Sequence, residues 1–412
     1  MKTVGAPAAF TIAAYFAYKR FLFVPEPFSK PIFQRAHITN KDLSQAIPRG
    51  AFKVKVLSYN ILADCYSRYF MFKYVRHGNL NFNYRSLRIL QEIKDSNSDI
   101  ICLQEVDHMD DFYKPQLEKL GYDLHHAYRR EKDAVVVGFK RDLYEIMTKD
   151  IVDYNDLVKV YEAKTNHPNL DSRDMLCHNK AIICLLKHIE TGSHLIVASS
   201  HLYWDPKYDY VKYAQTAYLL KRLALFKAKN ASIAQDPAIV VCGDFNSDPS
   251  SSSISLFYDS QEFVKNAYYG RNKNKFDQWY ERILADLKSD PYYATIQGKL
   301  KSSYSQYKAF KDQIPDYPAD STGLTEFEAM IDGHQPYTNY TGDYKDTLDF
   351  IFHSKHLQLQ SLLEMPSVQD LTVETALPSS VFPSDHLRIE ASFIYNPQER
   401  DIKIAEQIPY KL

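Results

Sequence analysis

Six apolar, strand-like segments of this chain end in, or contain, polar residues that a simple hydrophobic core does not require. A buried carboxylate is costly unless a hydrogen bond, an opposite charge or a metal ion compensates it. Each motif alone has a structural explanation, such as a cap or an Asx turn, but together they indicate one shared site. The residues are Asn60 in SYN, Glu105 in LQE, His201 in SSH, Asp244 and Asn246 in GDFN, Asp349 in LDFIF, and Asp385 with His386 in SDH.

The side-chain types in this set favour hydrolysis of a phosphate ester. Oxygen ligands without cysteine, and only two candidate histidines, point to a hard cation such as Mg²⁺, for which Mn²⁺ can substitute. Such a cation neutralises the phosphate and stabilises the leaving oxygen, while a base or a second metal generates hydroxide. A histidine next to a buried aspartate supplies a polarised partner for this step.

Short β-type segments alternate with amphipathic helices from residue 51 onward. Leu87, Leu90 and Ile93 recur at helical spacing in YRSLRILQEIKDS. Hairpin-like strand pairs with few helical crossovers predict an α+β fold of two packed mixed β-sheets flanked by helices, a four-layer α/β/β/α sandwich. Strands are predicted at 52–59, 99–106, 122–128, 133–140, 175–188, 194–202, 238–245, 347–353, 357–365 and 386–394, and helices at 84–96, at 110–120 and after Pro206.

The chain divides into one large catalytic domain and shorter flanking segments. Residues 51–396 form the predicted domain, and the region 250–335, which is helical in pattern and rich in Lys and Tyr, is an expected insertion beside the site. We expect residues 31–50 to be a linker and 397–412 to be a C-terminal tail. No low-complexity run separates two halves, which favours one core.

Charge and cysteine content exclude several classes of protein. The net charge of the 412 residues is −1, so no broad basic face for gripping long nucleic acid is expected, and any such contact should be short and centred on the site. The five cysteines show no C-x-x-C spacing, which argues against a disulfide framework or a zinc site and for a reducing compartment.

The first thirty residues differ from the rest of the chain. The segment 5–18 is apolar and is followed by Lys19 and Arg20, but it is shorter than the roughly 20 residues of a standard membrane span. Two interpretations compete: a short outer-membrane anchor or mitochondrial address within residues 1–30, or a disordered leader. We therefore expect a cytoplasmic or mitochondrion-associated protein.

The motifs resemble, in order and spacing, the endonuclease/exonuclease/phosphatase superfamily over roughly residues 52–394. This resemblance implies that the predicted sandwich is DNase-like. Within it, the chain is similar to the branch of the carbon catabolite repressor deadenylases, the Angel proteins and nocturnin. TNYT with LDFIF, and HLYWDP, are far more discriminating than GDFN alone. The stretches that carry the likeness are SYNILAD, YRSLRILQEI, DIICLQEV, SHLYWDP, VKYAQ, CGDFNSDPSS, YTNYTGDYKDTLDFIF and PSDHLRIEASF.

The resemblance implies a role for each residue that would handle the metal. Glu105 would hold the first Mg²⁺, with Asn60 close to the attacked phosphate. Asp244 and Asn246 would orient the nucleophilic water or bind a second metal, and Asp385 would support the metal cluster.

The resemblance also implies contacts with phosphate and base. His386 would stabilise the developing charge, with Asp349 fixing its imidazole, and His201 would bind a phosphate oxygen. Pro206 and Tyr344 match the pair that sandwiches the terminal adenine in the deadenylases.

Two of the substrate contacts have structural alternatives. Asn339, within TNYT, is assigned to substrate binding, although its sequence is also a glycosylation sequon. Pro206 follows Asp205 at a predicted helix start, where Asp caps and Pro fits the first turn for purely structural reasons. Stacking tolerates any base, so the clamp supports a nucleotide more strongly than it supports adenine.

The likeness implies a Mg²⁺-dependent 3′–5′ RNA exonuclease, deadenylase-like and poly(A)-specific, that releases 5′-AMP. One alternative is a phosphatase acting on nucleotides or on RNA 2′,3′-cyclic phosphate ends. Another is an inert RNA-binding scaffold, which would predict the loss of at least one of the residues Glu105, Asp244, Asp349 and His386, all of which are present. A lipid or inositol phosphatase fits the aromatic and proline clamp less well.

Three departures from the family pattern limit the comparison. The chain has Lys132-Asp133-Ala134 where the family often has Asp-Gly after a basic residue, and Tyr210 stands where an acid is usual. It shows no upstream leucine-rich repeat platform, so a stable place in the deadenylase complex is not expected.

Overall fold

The strand-forming segments of the chain are short, apolar and rich in β-branched residues, as strands buried on both faces require. We describe the fold from a computed structural model, which covers residues 33–40, 50–162, 172–258, 277–313 and 337–396. The predicted leader, most of the linker and nearly all of the tail lie outside the described residues. The strands are β1 His37–Thr39, β2 Phe52–Asn60, β3 Ile100–Val106, β4 Tyr122–Arg129, β5 Asp133–Lys140, β6 Tyr144–Asp153, β7 Lys180–His188, β8 His194–His201, β9 Ala238–Asp244, β10 Leu300–Ser302, β11 Asn339–Tyr340, β12 Lys345–Asp346, β13 Asp349–Ser354, β14 Leu357–Leu363 and β15 Ile389–Tyr395.

Four of the eight described α-helices connect strands that neighbour each other in a sheet. In the first of them, Asn81 caps the N-terminus by accepting a hydrogen bond from the Asn83 amide, and Asn97 ends the helix in the left-handed conformation. The α-helices are α1 Phe82–Ser96, α2 Lys114–Lys119, α3 Asp156–Glu162, α4 Asp209–Lys229, α5 Ser252–Ser255, α6 Asp277–Lys288, α7 Tyr307–Asp312 and α8 Val368–Leu371. The helices that connect neighbouring strands are α1, α3, α4 and α8.

The described strands form two large mixed sheets and one small hairpin. The seven-stranded sheet has the order β1-β14-β15-β2-β3-β5-β4, and the six-stranded sheet has the order β10-β13-β9-β8-β7-β6. Within the described part of the chain, β2 with β3 and β8 with β9 are the parallel pairs, and the other pairs are antiparallel. Strands β11 and β12 form a separate antiparallel hairpin.

Three apolar clusters define four layers. One lies between the sheets and combines residues such as Val56 and Cys102 of the first sheet with Val240 and Cys242 of the second. A second lies between the seven-stranded sheet and α1. The third lies between the six-stranded sheet and α4 with α6. The predicted α/β/β/α sandwich of mixed sheets is therefore confirmed, and all five cysteines are free, as expected.

This topology places the ends of several strands at one edge of the sandwich. Strands β2 and β3 run parallel, so their C-terminal ends meet, and the same holds for β8 and β9. Strand β13 runs antiparallel to β9 with Asp349 opposite Asp244, so its first residue lies at the same edge. The edge therefore collects polar residues from both sheets.

The described part of the region 250–335 is built into the sandwich. Trp279, Ile283 and Leu287 of α6 are buried in the cluster against α4. Strand β10 pairs with β13 at the edge of the six-stranded sheet, and Tyr304 is buried between the sheets.

Strand β6 was not predicted from the sequence. Its exposed side chains alternate with half-buried or buried ones along YEIMTKDIVD, because it is the outer strand of its sheet. An edge strand with charged residues gives a weak apolar signal. The predicted strand 175–188 begins only at Lys180, after a 3-10 turn at Ser172–Met175.

No described helix combines the length and the apolar character that a membrane crossing requires. The expected outer-membrane anchor, and the localisation that relied on it, are therefore corrected. The anchor was assigned to residues 1–30, which lie outside the described residues, and its apolar run is too short for a standard span.

A buried carboxylate links three strands of the seven-stranded sheet, β1, β2 and β15. Glu390 of β15 lies 2.9 Å from Lys55 Nζ, 2.9 Å from Arg388 Nε and 3.3 Å from His37 Nε2. Burial alone would raise the pKa of Glu390, but the His37 hydrogen bond and the charges of Arg388 and Lys55 hold it well below its usual range.

We predict that Glu390→Gln lowers the free energy of unfolding by about 3–5 kcal/mol at pH 7, because it leaves the buried Arg388 guanidinium without its carboxylate partner. A lowered folded-state pKa contributes stability above the unfolded value, about 4.3, and this contribution is lost as the pH falls through the folded value. Urea denaturation should therefore show a smaller difference between wild type and variant at pH 3 than at pH 7. The exposed Glu190→Gln should change stability by less than about 0.5 kcal/mol, and a pH-independent Glu390 effect would contradict this account.

Candidate active site

An irregular backbone directs the Glu105 side chain to the edge of the sandwich at which several strands end. The pairing of β3 with β5 shifts register between Leu103 and Val106, and Glu105 adopts a positive φ of 56°. Such bulges re-aim a side chain, and strained backbone of this kind clusters at functional sites. The Glu105 Oε2 atom accepts a hydrogen bond from the Ala63 amide at 3.1 Å.

Asp244, at the end of β9, is the centre of the site. Its Oδ2 atom accepts a 2.9 Å hydrogen bond from Asn60 Nδ2 and lies 3.5 Å from His201 Nε2 and 3.7 Å from His386 Nε2. Its Oδ1 atom accepts from the Asn246 amide at 2.8 Å. Asp244 is 1% exposed, so this single carboxylate brings four predicted site residues together in a buried position.

His386 and Asp349 form a buried hydrogen-bonded pair. The His386 Nδ1 atom donates to Asp349 Oδ2 at 2.8 Å. Burial opposes the charged imidazole, but the carboxylates of Asp349 and then Asp244 raise the pKa of His386 well above its ordinary value. The pair therefore presents a cationic imidazole whose Nε2 atom faces Asp244.

His201 behaves in the opposite way although it faces the same carboxylate. Burial, followed by the positive charges of Arg129 and His386, lowers the pKa of His201 well below its ordinary value. Its backbone carbonyl accepts a hydrogen bond from Asn179 Nδ2 at 3.0 Å, which fixes the end of β8. The site thus contains one neutral and one cationic imidazole on either side of Asp244.

Asn246 and Asp385 lie at the half-buried margin of this group. Asn246 has a positive φ of 48°, and its Nδ2 atom donates to the Leu202 carbonyl at 3.0 Å. The Asn246 carbonyl accepts from Lys212 Nζ at 2.8 Å. The charge of Asp385 contributes to raising the pKa of Glu105, which places the two carboxylates near each other.

The carboxylates of the site fit a divalent cation. Burial raises the pKa of Glu105 to about 7, although the nearby Arg129 charge opposes the shift, and burial raises the pKa of Asp244 to about 6. Burial is the largest cause of both shifts, and a hard cation bound through these oxygen donors would oppose them. The Oδ1 atom of Asp349 is also buried with no hydrogen-bond partner among the described residues.

One possible ligand set differs from the predicted one. Asp244, Asp349 and His386 each offer a ligand atom, and these atoms lie within 4.8 Å of one another. However, the hydrogen bond between Asp349 and His386 already occupies one oxygen and one nitrogen of this trio. The ligand set Glu105, Asp244, Asn246 and Asp385 stays a prediction, which is supported by the preference of a hard cation for oxygen donors.

The predicted substrate contacts differ in burial. Asn339 is buried, pairs with the His386 backbone in an isolated bridge, and has an Oδ1 atom without a hydrogen-bond partner in the described structure. Tyr344 is exposed in the β11–β12 hairpin, and its hydroxyl donates to Asp346 at 3.3 Å. Pro206 is exposed at the start of a 3-10 helix that Asp205 caps, so the structural explanation of this proline also holds.

The sequence interpretation missed a charged group next to Glu105. Asp133 is buried and accepts hydrogen bonds from Arg129 at 3.1 and 2.9 Å and from the Tyr66 hydroxyl at 2.9 Å. Its position in the unusual Lys132-Asp133-Ala134 sequence was the available signal. The group holds the Arg129 cation where its charge acts on Glu105.

The family model described as Endonuclease/Exonuclease/phosphatase family matches residues 57–386, a range that contains every predicted site residue. The chain therefore belongs to this family. The predicted likeness to the deadenylase, Angel and nocturnin branch is also confirmed by individual proteins.

Two curated relatives illustrate the likeness in sequence. The CCR4-Not complex 3′-5′-exoribonuclease subunit Ccr4 of Mycosarcoma maydis is 28% identical over 378 residues, which cover 84% of this chain and 51% of that protein. Carbon catabolite repressor protein 4 homolog 4 of Arabidopsis thaliana is 29% identical over 372 residues, with coverages of 84% and 78%. The chain thus spans about half the length of the Ccr4 relatives that it matches.

Two solved structures illustrate the likeness in fold. ANGEL2, described as a 2′,3′-cyclic phosphatase in complex with adenosine-2′,3′-vanadate, superposes with a TM-score of 0.65 at 25% identity, covering 89% of this chain and 99% of that one. The human nocturnin catalytic domain has a TM-score of 0.54 at 22% identity, with coverages of 89% and 98%, and shows the shared fold alone.

We predict that Asp349→Asn lowers the pKa of His386, because it removes the nearest negative charge and keeps the shape of the side chain. A titration of the histidine ring signals by NMR in metal-free protein measures this shift. His353, on the same strand, is an internal control: its pKa is lowered to about 4 by burial, and it should not respond. An unchanged His386 titration would contradict the charge pairing.

Proposed function

We propose that this chain is a divalent-metal-dependent 3′–5′ exoribonuclease that shortens adenylated RNA 3′ ends and releases 5′-AMP. The observation that carries the proposal is the convergence of Asn60, His201 and His386 on the buried Asp244 carboxylate. Hydrolysis of a phosphate ester would use all of these groups, which explains why the cationic His386 and the neutral His201 both face Asp244. The names of the Ccr4 relatives support the exonuclease reading.

The proposed role of Asp244 is to orient the attacking water and accept its proton. Burial raises its pKa to about 6, close to neutrality, where a general base is effective. Attack at phosphorus breaks the bond to the 3′-oxygen of the preceding nucleotide, so the terminal nucleotide leaves as a 5′-monophosphate. The Asn60 amide, which already donates to Asp244, would hold this carboxylate in position.

The two imidazoles would act on the phosphate oxygens. His386, held cationic by Asp349, would stabilise the negative charge that develops on them. His201, held neutral by burial, would donate one N–H to a phosphate oxygen. Both side chains are buried, so their positions are fixed before a substrate arrives.

We assign the metal to the oxygen donors of the site. Glu105 would be the principal ligand, supported by Asp385, with Asp244 and Asn246 beside the water or at a second position. When bound, Mg²⁺ would neutralise phosphate charge and stabilise the leaving oxygen, and Mn²⁺ would substitute for it. The raised pKa of Glu105 supports this assignment, because a bound cation would favour its ionised form.

The substrate would be a single-stranded RNA 3′ end or a nucleotide, and residues 51–396 would form the catalytic domain. Pro206 and Tyr344 would sandwich the terminal base, with the buried amide of Asn339 supplying a polar contact. Both clamp residues are exposed on segments next to site residues, which supports this assignment.

A second candidate function is removal of phosphate from RNA 2′,3′-cyclic ends or from nucleotides. The likeness to ANGEL2, whose structure contains adenosine-2′,3′-vanadate, favours it specifically. The same buried residues would do the chemistry, and the two functions would differ in the bond that reaches the site.

We predict that the full chain shortens 5′-labelled RNA ending in A20 faster than RNA ending in U20, as a ladder on a denaturing gel. EDTA should abolish the ladder and Mg²⁺ or Mn²⁺ should restore it, because the oxygen donors need their cation. Glu105→Ala should be inactive, and the exposed Glu190→Ala should match wild type. Activity that persists in chelator would reject the metal site, while intact strands that lose only a terminal cyclic phosphate would select the phosphatase.

We predict that Tyr344→Ala raises KM for A20 by roughly 5- to 150-fold, the range for loss of one base stack. Tyr344→Phe should retain most of the affinity, since the ring and not the hydroxyl contacts the base. Steady-state kinetics on A20 and U20 measure both effects. A Phe variant as weak as the Ala variant would transfer the role to the hydroxyl that contacts Asp346.

A further inference from the structure

Trp204 is a large apolar side chain exposed beside a buried polar site. Its side chain is 65% exposed, whereas Trp279, the second tryptophan of the chain, is 1% exposed. Trp204 lies three residues after His201 and two residues before Pro206. An exposed indole at the mouth of a nucleic-acid site is a stacking surface for a base.

The segment that carries Trp204 is fixed to the site by hydrogen bonds. The Leu202 amide donates to the Asp244 carbonyl at 3.0 Å, and the Leu202 carbonyl accepts from Asn246. The Tyr203 amide donates to Gln215 Oε1 at 2.9 Å. An extended chain advances about 3.5 Å per residue, so the Trp204 backbone lies no more than about 7 Å from that of Leu202.

The neighbouring side chains turn Trp204 outward. Tyr203 is half-buried against the core, in an edge contact with Tyr208 at 5.8 Å. Successive side chains of an extended segment point to opposite sides, so the Trp204 ring lies on the solvent side, tilted at 6.2 Å from Tyr203. Its face is therefore open to a flat partner.

We propose that the Trp204 indole stacks on the base of the nucleotide immediately 5′ to the terminal one, so that the chain requires at least two unpaired nucleotides at a 3′ end. This inference rests on the proposed function, in which Pro206 and Tyr344 hold the terminal base. Trp204 is exposed two residues before Pro206 on the same segment, so its ring would be within reach of the base next to the terminal one. The near-zero net charge of the chain agrees with so short a contact.

The first test is kinetic and uses two A20 RNAs, one of them abasic at the penultimate position. Trp204→Ala should lower kcat/KM on the normal RNA by roughly 5- to 150-fold, mainly through KM, and the abasic site should lower the wild-type value by a similar factor. The two losses should not add, because they remove the same contact. Trp204→Phe should recover most of the loss.

The control variant is Tyr292→Ala, another exposed aromatic side chain. Tyr292 lies two residues after Asp290, which forms an ion pair with Lys221 of α4. Lys221 lies twelve residues, or about 18 Å, from Asp209 at the end of α4 that is next to the site. This variant should match wild type. If Trp204→Ala lowers kcat/KM equally on the normal and the abasic RNA, or on neither, the stacking inference is overturned, whereas the proposed exonuclease function is unaffected.

The second test does not depend on catalysis. This test uses the Glu105→Ala chain, which should leave RNA intact, and measures tryptophan fluorescence. The fluorescence comes from exposed Trp204 and buried Trp279, and the part that is lost on adding Trp204→Phe is the Trp204 signal. A6 RNA should quench this signal, whereas AMP and A6 that is abasic at the penultimate position should not. Equal quenching by AMP would mean that Trp204 contacts the terminal base. Binding of A6 in a fluorescence-polarisation assay without any quenching would mean that Trp204 contacts no base. Either result overturns the inference. A wild type that shortens no RNA would reject the proposed function, and this test alone would then decide the inference.

Discussion

The burial of the Asp244 carboxylate is the constraint on which the rest of this site depends. Removing an ionised carboxylate from water is costly unless hydrogen bonds and opposite charges replace the lost hydration. Here the replacements come from both sheets: Asn60 from the first, His201 from the second, and His386 from the segment before β15. A one-residue slip in any of these strands would turn its side chain to the other face. The chemistry of the site therefore also specifies how the two sheets are aligned.

The charges around Asp244 are arranged unequally, and this sets what each group can do. Asp349 holds His386 cationic, while burial, followed by the charges of Arg129 and His386, keeps His201 neutral. Glu105 lies at the margin with a raised pKa, opposed by the Arg129 charge. Two imidazoles at similar distances from one acid thus differ in protonation because only one has a buried aspartate behind it.

The sequence predicted which residues converge at this edge because they break a strong pattern. An acid such as Glu105 or Asp244 at the end of an apolar run is rarely buried without a reason. The two-sheet architecture was also predicted, from hairpin-like strand pairs and few crossovers. Strand β6 escaped prediction because an edge strand lacks the apolar run. The Arg129 and Asp133 pair escaped because a charged turn resembles an ordinary surface loop until its burial is known.

The buried network does not by itself select a substrate. Relatives that share the fold carry names for two different reactions, a 3′-5′-exoribonuclease and a 2′,3′-cyclic phosphatase. Both reactions need a neutralised phosphate, an oriented water and a stabilised leaving oxygen, which the same buried residues can supply. We infer that the difference lies where the substrate would enter. The proposed entry carries exposed side chains: Trp204 and Pro206 on one segment and Tyr344 on a hairpin. Since stacking needs a second base to act on, a rim with more than one aromatic face favours a strand over a single nucleotide.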